Sequence, residues 1–338
     1  MDVKVFITID VEEDLWGEYK ATQIPVDNVA RLPILQDLFD RFGAMPTYFI
    51  NWPVVTNKFA SKILHEILNR GRCEIGTHCH PWNTLPIEEK INNHNSMICN
   101  LPYELIEKKL ETLHEAIIDR FKVKPICFRS GRWGFGPKVA KAIHKLGYLV
   151  DTSVTPFFDW SEDGGADFSD VPTFSYWFNP DDVLREKADG PLLEVPPTIG
   201  FLQKNFKLCR LVRRKILNGP LSRYHILGIL DKLKILNLRW LSPELSSGPE
   251  MILLSKKFIQ TGHRFLNMAF HSTSLIPGKT PFVRNQQQLE KFLCDIEMFL
   301  QFVVDQGMTF SPLSGALEEV KKQGTNLYEN TSQEMNQV

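Results

Sequence analysis

Short apolar runs alternate with amphipathic stretches through the first 155 residues, and this alternation constrains the fold more than any other feature of the chain. The apolar runs predict strands at residues 3–9, 46–51, 73–77, 125–129 and 148–152, with a sixth at 265–270. The stretches with a helical period predict helices at residues 28–42, 59–69, 103–121 and 137–146. Strands and helices that alternate at this spacing favour parallel β-α units and an α/β fold.

Reactive side chains follow five of the predicted strands at their carboxyl ends. They are Asp10 and Glu12 after the first strand, His78 and His80 after the third, Arg129 at the end of the fourth, Asp151 at the end of the fifth, and His271 after the last. The carboxyl ends of parallel strands meet at one edge, where barrels and doubly wound sheets carry their active sites. The sequence therefore predicts one functional site that is built from five distant positions.

Two histidines one residue apart make this edge a candidate metal site. Residues i and i+2 of a strand point to the same face, so His78 and His80 could both bind one divalent ion. Two partly buried histidines with ordinary hydrogen bonds are the alternative. The acidic run at residues 10–14 and the isolated His271 favour the metal interpretation. Cys79 would point to the opposite face of the strand and is not expected to be a ligand.

A divalent ion held by two imidazoles and one carboxylate is an arrangement that hydrolyses amides and esters. Such a reaction also needs a carboxylate that accepts the proton of the attacking water and an acid that protonates the leaving nitrogen. Asp10 and His271 are residue types that suit these roles. Arg129 could keep Asp10 ionised and oriented, and Asp151 could hold the ring of His271 in its protonated form.

Charge and cysteine content exclude several functional classes. Lys and Arg number 39 against 40 for Asp and Glu, so the overall charge does not favour a nucleic-acid partner. The six cysteines lack Cys-x-x-Cys spacing, which is typical of reduced thiols. The first residues resemble no secretory signal, and no apolar run approaches the roughly 20 residues that cross a bilayer. We therefore expect a cytoplasmic protein with no membrane span.

The segment at residues 156–264 separates the last predicted strand from the others and is expected to be an insertion over the rim. Its first part, 159–194, carries ten acidic and two basic residues, whereas 204–239 carries ten basic residues and one acidic. The two parts could neutralise each other, or they could be two solvated faces. A helix with Arg210, Arg213 and Arg214 could meet phosphate or carboxylate on a glycan or its lipid carrier, and the basic part could contact a membrane peripherally. Residues 324–338 are polar and predict a flexible tail.

Five ordered motifs together resemble the polysaccharide deacetylase family, the NodB-homology or carbohydrate esterase 4 group. The motifs are Thr8-Ile9-Asp10, Gly76-Thr77-His78, Phe128-Arg129-Ser130-Gly131-Arg132-Trp133-Gly134, Asp151-Thr152-Ser153 and Ala269-Phe270-His271-Ser272. The resemblance spans residues 1–155 and 262–320. It implies a distorted, incomplete (β/α) barrel in one domain, 1–323, with the insertion at 156–264. Pro81-Trp82-Asn83 and Pro277-Gly278 are similar to the branch associated with lipopolysaccharide or surface-glycan biosynthesis.

The resemblance also implies an activity, which is metal-dependent removal of an N-acetyl group from a sugar or glycan precursor. The implied metal is divalent, with zinc expected. The implied substrate is an N-acetylated saccharide, nucleotide-linked or lipid-linked. The base of the family matches Asp10, its arginine matches Arg129, and its catalytic histidine matches His271. Its acid-tuning aspartate best matches Asp151.

The chain departs from the family pattern at two metal ligands. The family's metal-binding aspartate falls on Val11, and Glu12 is the nearest replacement. The family's His-x-x-x-His spacing would place the second histidine at Trp82, so His80 must fill that site or metal binding is altered. Asp14 could replace Glu12 if the loop turns tightly, whereas Glu13 is expected to be a solvated carboxylate.

Three residues of the rim are candidate substrate contacts, namely Trp82, Trp133 and Arg132. Each tryptophan could stack on a pyranose ring or could be an ordinary packing residue. Two other functions remain open at this stage. The same barrel could hydrolyse another small amide, or it could be a catalytically degenerate glycan-binding module.

Overall fold

A computed structural model describes residues 3–219 and 226–320 of the chain. Its strands are β1 (Lys4–Val11), β2 (Thr47–Ile50), β3 (Glu74–Cys79), β4 (Cys127–Ser130), β5 (Val150–Asp151), β6 (Tyr176–Phe178), β7 (Leu192–Glu194), β8 (Ile199–Phe201), β9 (Leu238–Trp240), β10 (Phe265–His271) and β11 (Thr309–Phe310). Its helices are α1 (Leu32–Phe42), α2 (Trp52–Thr56), α3 (Lys58–Leu68), α4 (Tyr103–Phe121), α5 (Pro137–Leu146), α6 (Phe206–Leu217), α7 (Ile226–Lys232), α8 (Gly248–Gln260) and α9 (Gln286–Asp305).

The main sheet is an open barrel of mostly parallel strands. Its order is β10-β1-β2-β3-β4-β5-β7-β6, and β11 pairs with the beginning of β1. Every pairing from β10 to β7 is parallel, and β6 is antiparallel to β7. Within the described residues β10 and β6 form the two edges, so the barrel does not close. The incomplete (β/α) barrel that the sequence predicts is confirmed.

Both faces of the sheet are buried, which explains why its strands read as continuous apolar runs rather than alternating ones. One face of β1, with Ile7 and Ile9, packs against the surrounding helices. The other face fills the barrel interior, where Phe6 and Phe49 pack with Leu313 from the end of the described chain. This inner cluster fills the barrel at the end opposite the carboxyl rim.

The predicted elements agree with the structure to within a few residues. Helices α4 and α5 have the predicted bounds, and Gly43 and Gly147 end α1 and α5 in the left-handed conformation that glycine adopts readily. The predicted helix at 28–42 is split. Residues Asp27–Arg31 form a short 3-10 turn, and the α-helix begins at Leu32 with a proline in its first turn.

The segment at 156–264 is partly built into the main sheet. Strands β7 and β6 extend the sheet beyond β5, whereas β8 and β9 form a separate antiparallel pair. The predicted tail at 324–338 lies outside the described residues. Among the helices that the structure describes, none is long and apolar enough to cross a bilayer.

Candidate active site

A cavity of about 640 Å³ lies at the carboxyl ends of the parallel strands. Strands β1, β3 and β10 contribute its polar floor, and the segment between β5 and β10 contributes one of its walls. The floor contains Asp10, Glu12, Glu13, His78, His80 and His271. Distant sequence positions therefore meet at one rim, as the parallel β-α arrangement predicts.

Three side-chain atoms on this floor converge closely enough to hold one metal ion. His78 Nε2 lies 3.0 Å from His80 Nε2. Glu12 Oε2 lies 3.4 Å from His78 Nε2 and 3.2 Å from His80 Nε2. A tetrahedral ion with bonds of about 2.0–2.1 Å separates its ligand atoms by about 3.3 Å. The three separations therefore fit one divalent ion.

The hydrogen bonds of the two rings orient their lone pairs toward the same point. His78 Nδ1 donates to the main-chain carbonyl of Arg129 at 3.1 Å, because that carbonyl can only accept. His80 Nδ1 donates to the carboxylate of Glu13 at 2.9 Å. In the neutral rings each Nε2 then carries a lone pair facing the Glu12 carboxylate. Three such acceptors at this distance repel each other unless a positive charge lies between them, and either a divalent ion or a proton on His80 Nε2 supplies that charge.

Glu13 has a different environment from the one that the sequence predicts. It is 3 % exposed rather than solvated, and it accepts hydrogen bonds from His80, from Trp82 Nε1 at 3.1 Å, and from Asn51. Burial alone would lower the pKa of His80, but the negative charges of Glu13 and Glu12 raise it to about 10. Burial alone would likewise raise the pKa of Glu12, yet His271, His78 and His80 hold that pKa well below its usual range.

The two departures from the family pattern have a structural explanation. His80, and not Trp82, meets His78 and Glu12, because His78 and His80 follow the two-residue period of a strand. Trp82 is buried, stacks on the His80 ring at 4.1 Å, and also lines the cavity. Val11 is fully buried in the core on the opposite face from Glu12.

Asp14 does not replace Glu12. Its carboxylate accepts hydrogen bonds from the main-chain N–H of Asp27 and from Asn28, and Asn28 also donates to the carbonyl of Glu12. Asp14 therefore fixes the loop after β1. The loop after His80 is fixed by Lys109, a buried cation that donates to the carbonyls of Pro81, Thr84 and Pro86.

Asp10 and Arg129 form a buried pair beside the candidate metal site. Arg129 donates to Asp10 Oδ1 at 2.8 Å and to the hydroxyl of Thr8 at 2.6 Å, and its guanidinium lies over the ring of Phe49. Asp10 and Glu12 are two residues apart and thus share one face of the chain. The second oxygen of Asp10 is 3.7 Å from His271 Nε2, so it lies on the pocket floor.

The partner of His271 is Glu244, which sequence reasoning missed. His271 Nδ1 lies 2.9 Å from Glu244 Oε2, and the main-chain N–H of His271 donates to the same carboxylate. Burial alone would lower the pKa of His271, but Glu244 and Glu12 raise it to about 10. The protonated ring therefore directs Nε2 toward Asp10 and the pocket.

Asp151 does not hold His271, and this corrects the role expected for it. Its carboxylate accepts from the main-chain N–H and the hydroxyl of Ser153, at 2.9 and 2.8 Å. Its neighbour Thr152 contacts Arg129 inside the barrel, so Asp151 points to the outer face. There it pairs in register with Glu194. Burial raises the pKa of Asp151 to about 6 and that of Glu194 well above its usual range.

Aromatic side chains form most of the remaining pocket wall. Trp133 and Trp240 lie with ring centroids 5.6 Å apart, and Trp16 contacts the ring of His271 edge-on at 4.8 Å. Arg132 bonds to Asp163 at 3.0 Å and to Asn93, so its charge is already paired. Trp133 and Arg132 both line the cavity, as expected for substrate contacts.

The turn that carries Arg132 and Trp133 is strained and closely packed. Both residues have positive φ angles, 52° and 56°, which are unfavourable for side chains with a Cβ. Gly131 precedes them, and a Cβ at that position would clash with the ring of His80. Glycine at 131 thus permits the chain just after β4 to lie close to the ring of His80. Strain of this kind concentrates at functional sites.

Several solved structures align with most of this chain. A candidate glycoside hydrolase/deacetylase from Parabacteroides distasonis aligns with a TM-score of 0.56 and 11% identity, over 90% of this chain and 67% of that chain. The chain shares this protein's fold. The Xyl-CE4 domain of a multidomain xylanase from the hindgut metagenome of Trinervitermes trinervoides aligns with a TM-score of 0.46 and 11% identity, over 95% and 92% of the two chains. A candidate polysaccharide deacetylase from Mycobacterium smegmatis aligns with a TM-score of 0.45 and 14% identity, over 93% and 94%.

At these identities the similarity concerns the fold. No protein-family model matches the sequence, and no curated protein matches it. The similarity to the lipopolysaccharide or surface-glycan branch stays a prediction.

Proposed function

We propose that the chain is a polysaccharide deacetylase, a metal-dependent hydrolase that removes an N-acetyl group from a saccharide. The observation that carries this proposal is the convergence of Glu12, His78 and His80 on one point, with Asp10 and His271 beside them on the pocket floor. Two imidazoles and one carboxylate are a ligand set typical of hydrolytic zinc sites, where a further position stays open for water or substrate.

The chain supplies the metal ligands and the residues that orient them. Glu12, His78 and His80 would hold the ion, and the Arg129 carbonyl and Glu13 would keep both rings in the tautomer that exposes Nε2. A divalent ion bound there would supply Lewis-acid polarisation of the acetyl carbonyl. Zinc suits this mixed nitrogen and oxygen set.

Asp10 is the general base of the proposed reaction. Its Oδ1 is held by Arg129, which fixes the carboxylate and leaves Oδ2 directed to the pocket. Oδ2 would accept the proton of the water that attacks the acetyl carbon. Arg129 is a positioning residue, because it acts on the reaction through Asp10.

His271 is the general acid. Glu244 accepts from Nδ1 and stabilises the charged ring, so Nε2 carries a proton that it can donate to the leaving sugar nitrogen. Departure of that nitrogen as a neutral amine breaks the carbon-nitrogen bond and leaves acetate. Glu244 has the orienting role that was expected of Asp151.

The pocket wall supports an acetylated saccharide as the substrate class. Indole rings stack on the apolar faces of pyranoses, and Trp133 and Trp240 line the cavity beside the candidate metal site. Arg132, the one Lys or Arg among its described lining residues, is already paired with Asp163. The diphosphate of a nucleotide-linked saccharide would thus meet no unpaired Lys or Arg among these lining residues. We therefore favour a lipid-linked or free saccharide over a nucleotide-linked one.

Acetate release tests this proposal. Metal-stripped protein is reconstituted with zinc and incubated with free N-acetylated saccharides, nucleotide-linked ones and lipid-linked ones, and acetate is quantified. We expect release from at least one neutral or lipid-linked N-acetyl saccharide, and loss of release when a chelator removes the metal.

Two outcomes would contradict the proposal. Saccharide binding without acetate release by folded, metal-loaded protein would indicate a degenerate glycan-binding module. Hydrolysis of simple cyclic or acyclic amides in preference to every saccharide would indicate a different amide hydrolase on the same barrel.

A further inference from the structure

Helices α6 and α7 expose an unusual mixture of large apolar and basic side chains. We call this area the α6–α7 surface and define it by Lys207, Leu208, Leu211, Val212 and Lys215 of α6, with Ile229, Lys232, Leu233, Lys234 and Ile235 of α7 and the turn after it. Three leucines and one isoleucine of this surface are 41–62 % exposed, namely Leu208, Leu211, Leu233 and Ile235.

The helical period places the apolar and basic residues of α6 together. Leu208, Leu211 and Val212 occupy positions i, i+3 and i+4, and Lys207 and Lys215 flank them on the same side. Cys209 and Ile216 lie beside this face, are buried, and attach the helix to the domain. A helix with one face anchored and a second, solvent-exposed apolar face is unusual in a soluble domain unless that face meets a partner.

The arginines of α6 are already paired, whereas the lysines are not. Arg210 and Arg214 both bind Asp170, at 3.2 and 3.0 Å, and Arg213 donates to the carbonyl of Phe157. This corrects the expectation that these arginines are open to an external anion. Among the described residues, Lys207 and Lys215 have no acidic partner within 4.0 Å, so their charges are available at the surface.

The α6–α7 surface lies next to the active-site pocket. Arg213 packs over the ring of Phe158, which lines the pocket, at 5.6 Å. Strand β9 follows α7 directly and carries Leu238 and Trp240 into the pocket wall. A partner bound at α6 and α7 would therefore be held close to the pocket.

We propose that the α6–α7 surface docks the protein on an anionic lipid bilayer. Exposed leucine, isoleucine and valine side chains can enter the boundary between headgroups and acyl chains, and unpaired lysines on the same face can meet lipid phosphates. An acidic protein partner would use the lysines but would not require this many aliphatic side chains, and a second copy of an apolar face would not require the lysines. The combination of both is the complement of an anionic membrane surface.

Vesicle sedimentation tests this inference without any dependence on the proposed reaction. The full chain is mixed with vesicles of phosphatidylglycerol and phosphatidylcholine, or of phosphatidylcholine alone, at low and high salt. We expect binding to the anionic vesicles, weaker binding at high salt, and little binding to the neutral ones. Lys207→Gln with Lys215→Gln is expected to weaken partitioning by roughly 25-fold. Leu208→Gln with Leu211→Gln is expected to weaken it by about tenfold or more.

Matched variants elsewhere on the surface provide the controls. Leu253→Gln removes a leucine of α8 that is 41 % exposed, the same exposure as Leu211, and Lys58→Gln with Lys62→Gln removes two charges from α3. These controls should bind vesicles like the original chain, and circular dichroism should show that all variants are folded. The inference is overturned if the original chain ignores anionic vesicles, if it binds neutral ones equally, or if surface and control variants behave alike. Association of the chain with itself or with an acidic protein in place of lipid would overturn it too.

Discussion

Asp10→Asn is expected to lower kcat for acetate release by about 10²–10⁴-fold, the usual contribution of a general base. Asparagine has the shape of aspartate and can still accept the hydrogen bond of Arg129 at the position of Oδ1. Its amide nitrogen, however, cannot accept a proton from water. The bound metal should remain, because Asp10 is not one of the three converging ligands.

The same substitution also leaves the charge of Arg129 without its counter-charge. Arg129 is fully buried, so loss of one partner of this pair costs stability, up to about 3–5 kcal/mol in comparable pairs. Thermal denaturation should therefore accompany the kinetics. Asp14→Asn is the matched control, since it alters a buried carboxylate of the loop that follows β1, whose oxygens accept from Asp27 and Asn28. Metal-loaded, folded Asp10→Asn with undiminished kcat would exclude Asp10 as the base.

Glu244→Gln is expected to move the alkaline limit of activity to lower pH. The negative charge of Glu244 is the largest favourable contribution that raises the pKa of His271 to about 10, against the effect of burial. Glutamine removes this charge, and the pKa of the ring should fall toward its ordinary value of 6.5. At pH 8.5 a ring with that pKa is protonated on the order of 100-fold less often, so the acid form becomes scarce.

The free energy of unfolding should also depend on pH through His271. The folded pKa of His271 lies above 6.5, so the stabilisation by the charged ring is fully present below pH 6.5 and is lost as the pH rises toward 10. Glu244→Gln should remove this contribution, with the largest stability difference at low pH and a smaller one above pH 10. The pH profile of kcat and denaturation at several pH values measure the two effects. Asp151→Asn is the control, and its alkaline limit should stay unchanged. A shift with Asp151→Asn and none with Glu244→Gln would return the orienting role to Asp151.

Much of the floor of the site could be predicted from the sequence because it depends on strand geometry alone. The two-residue period of β3 puts His78 and His80 on one face, and the same period relates Asp10 to Glu12. Parallel pairing brings Asp10 beside His271 in register, although 261 positions separate them (271 minus 10). Arg129 reaches Asp10 from β4 across the barrel interior.

The orienting residues could not be predicted in this way, because they come from irregular segments. Glu244 lies in the turn after β9, 27 residues before His271. No pattern in the sequence predicts the path of this segment over the rim, so the contact between Glu244 and His271 could not be predicted. Glu13 follows the end of β1, where the strand period no longer determines direction, and the chain turns it inward to Asn51 and His80. Asp151 was misassigned because the face of a two-residue strand depends on its pairing, not on its apolar pattern.

Substitutions at the candidate ligands and at the residue that orients one of them should lower metal affinity to different extents. Glu13 touches no metal directly and acts through His80, so Glu13→Gln should retain the ion with about 10–100-fold lower affinity. His78→Ala with His80→Ala removes two of the three converging atoms and should abolish the site. His94→Ala with His144→Ala removes two exposed histidines outside the pocket and serves as the matched control.

Zinc titration of the metal-stripped chain by calorimetry tests the central claim most directly. The original chain and the His94→Ala, His144→Ala control should each bind about one ion per chain. The His78→Ala, His80→Ala variant, folded by circular dichroism, should bind none at this site. A folded original chain that binds no zinc, or a double variant at 78 and 80 that binds it as tightly as the original, would contradict the assignment of Glu12, His78 and His80 as a metal centre.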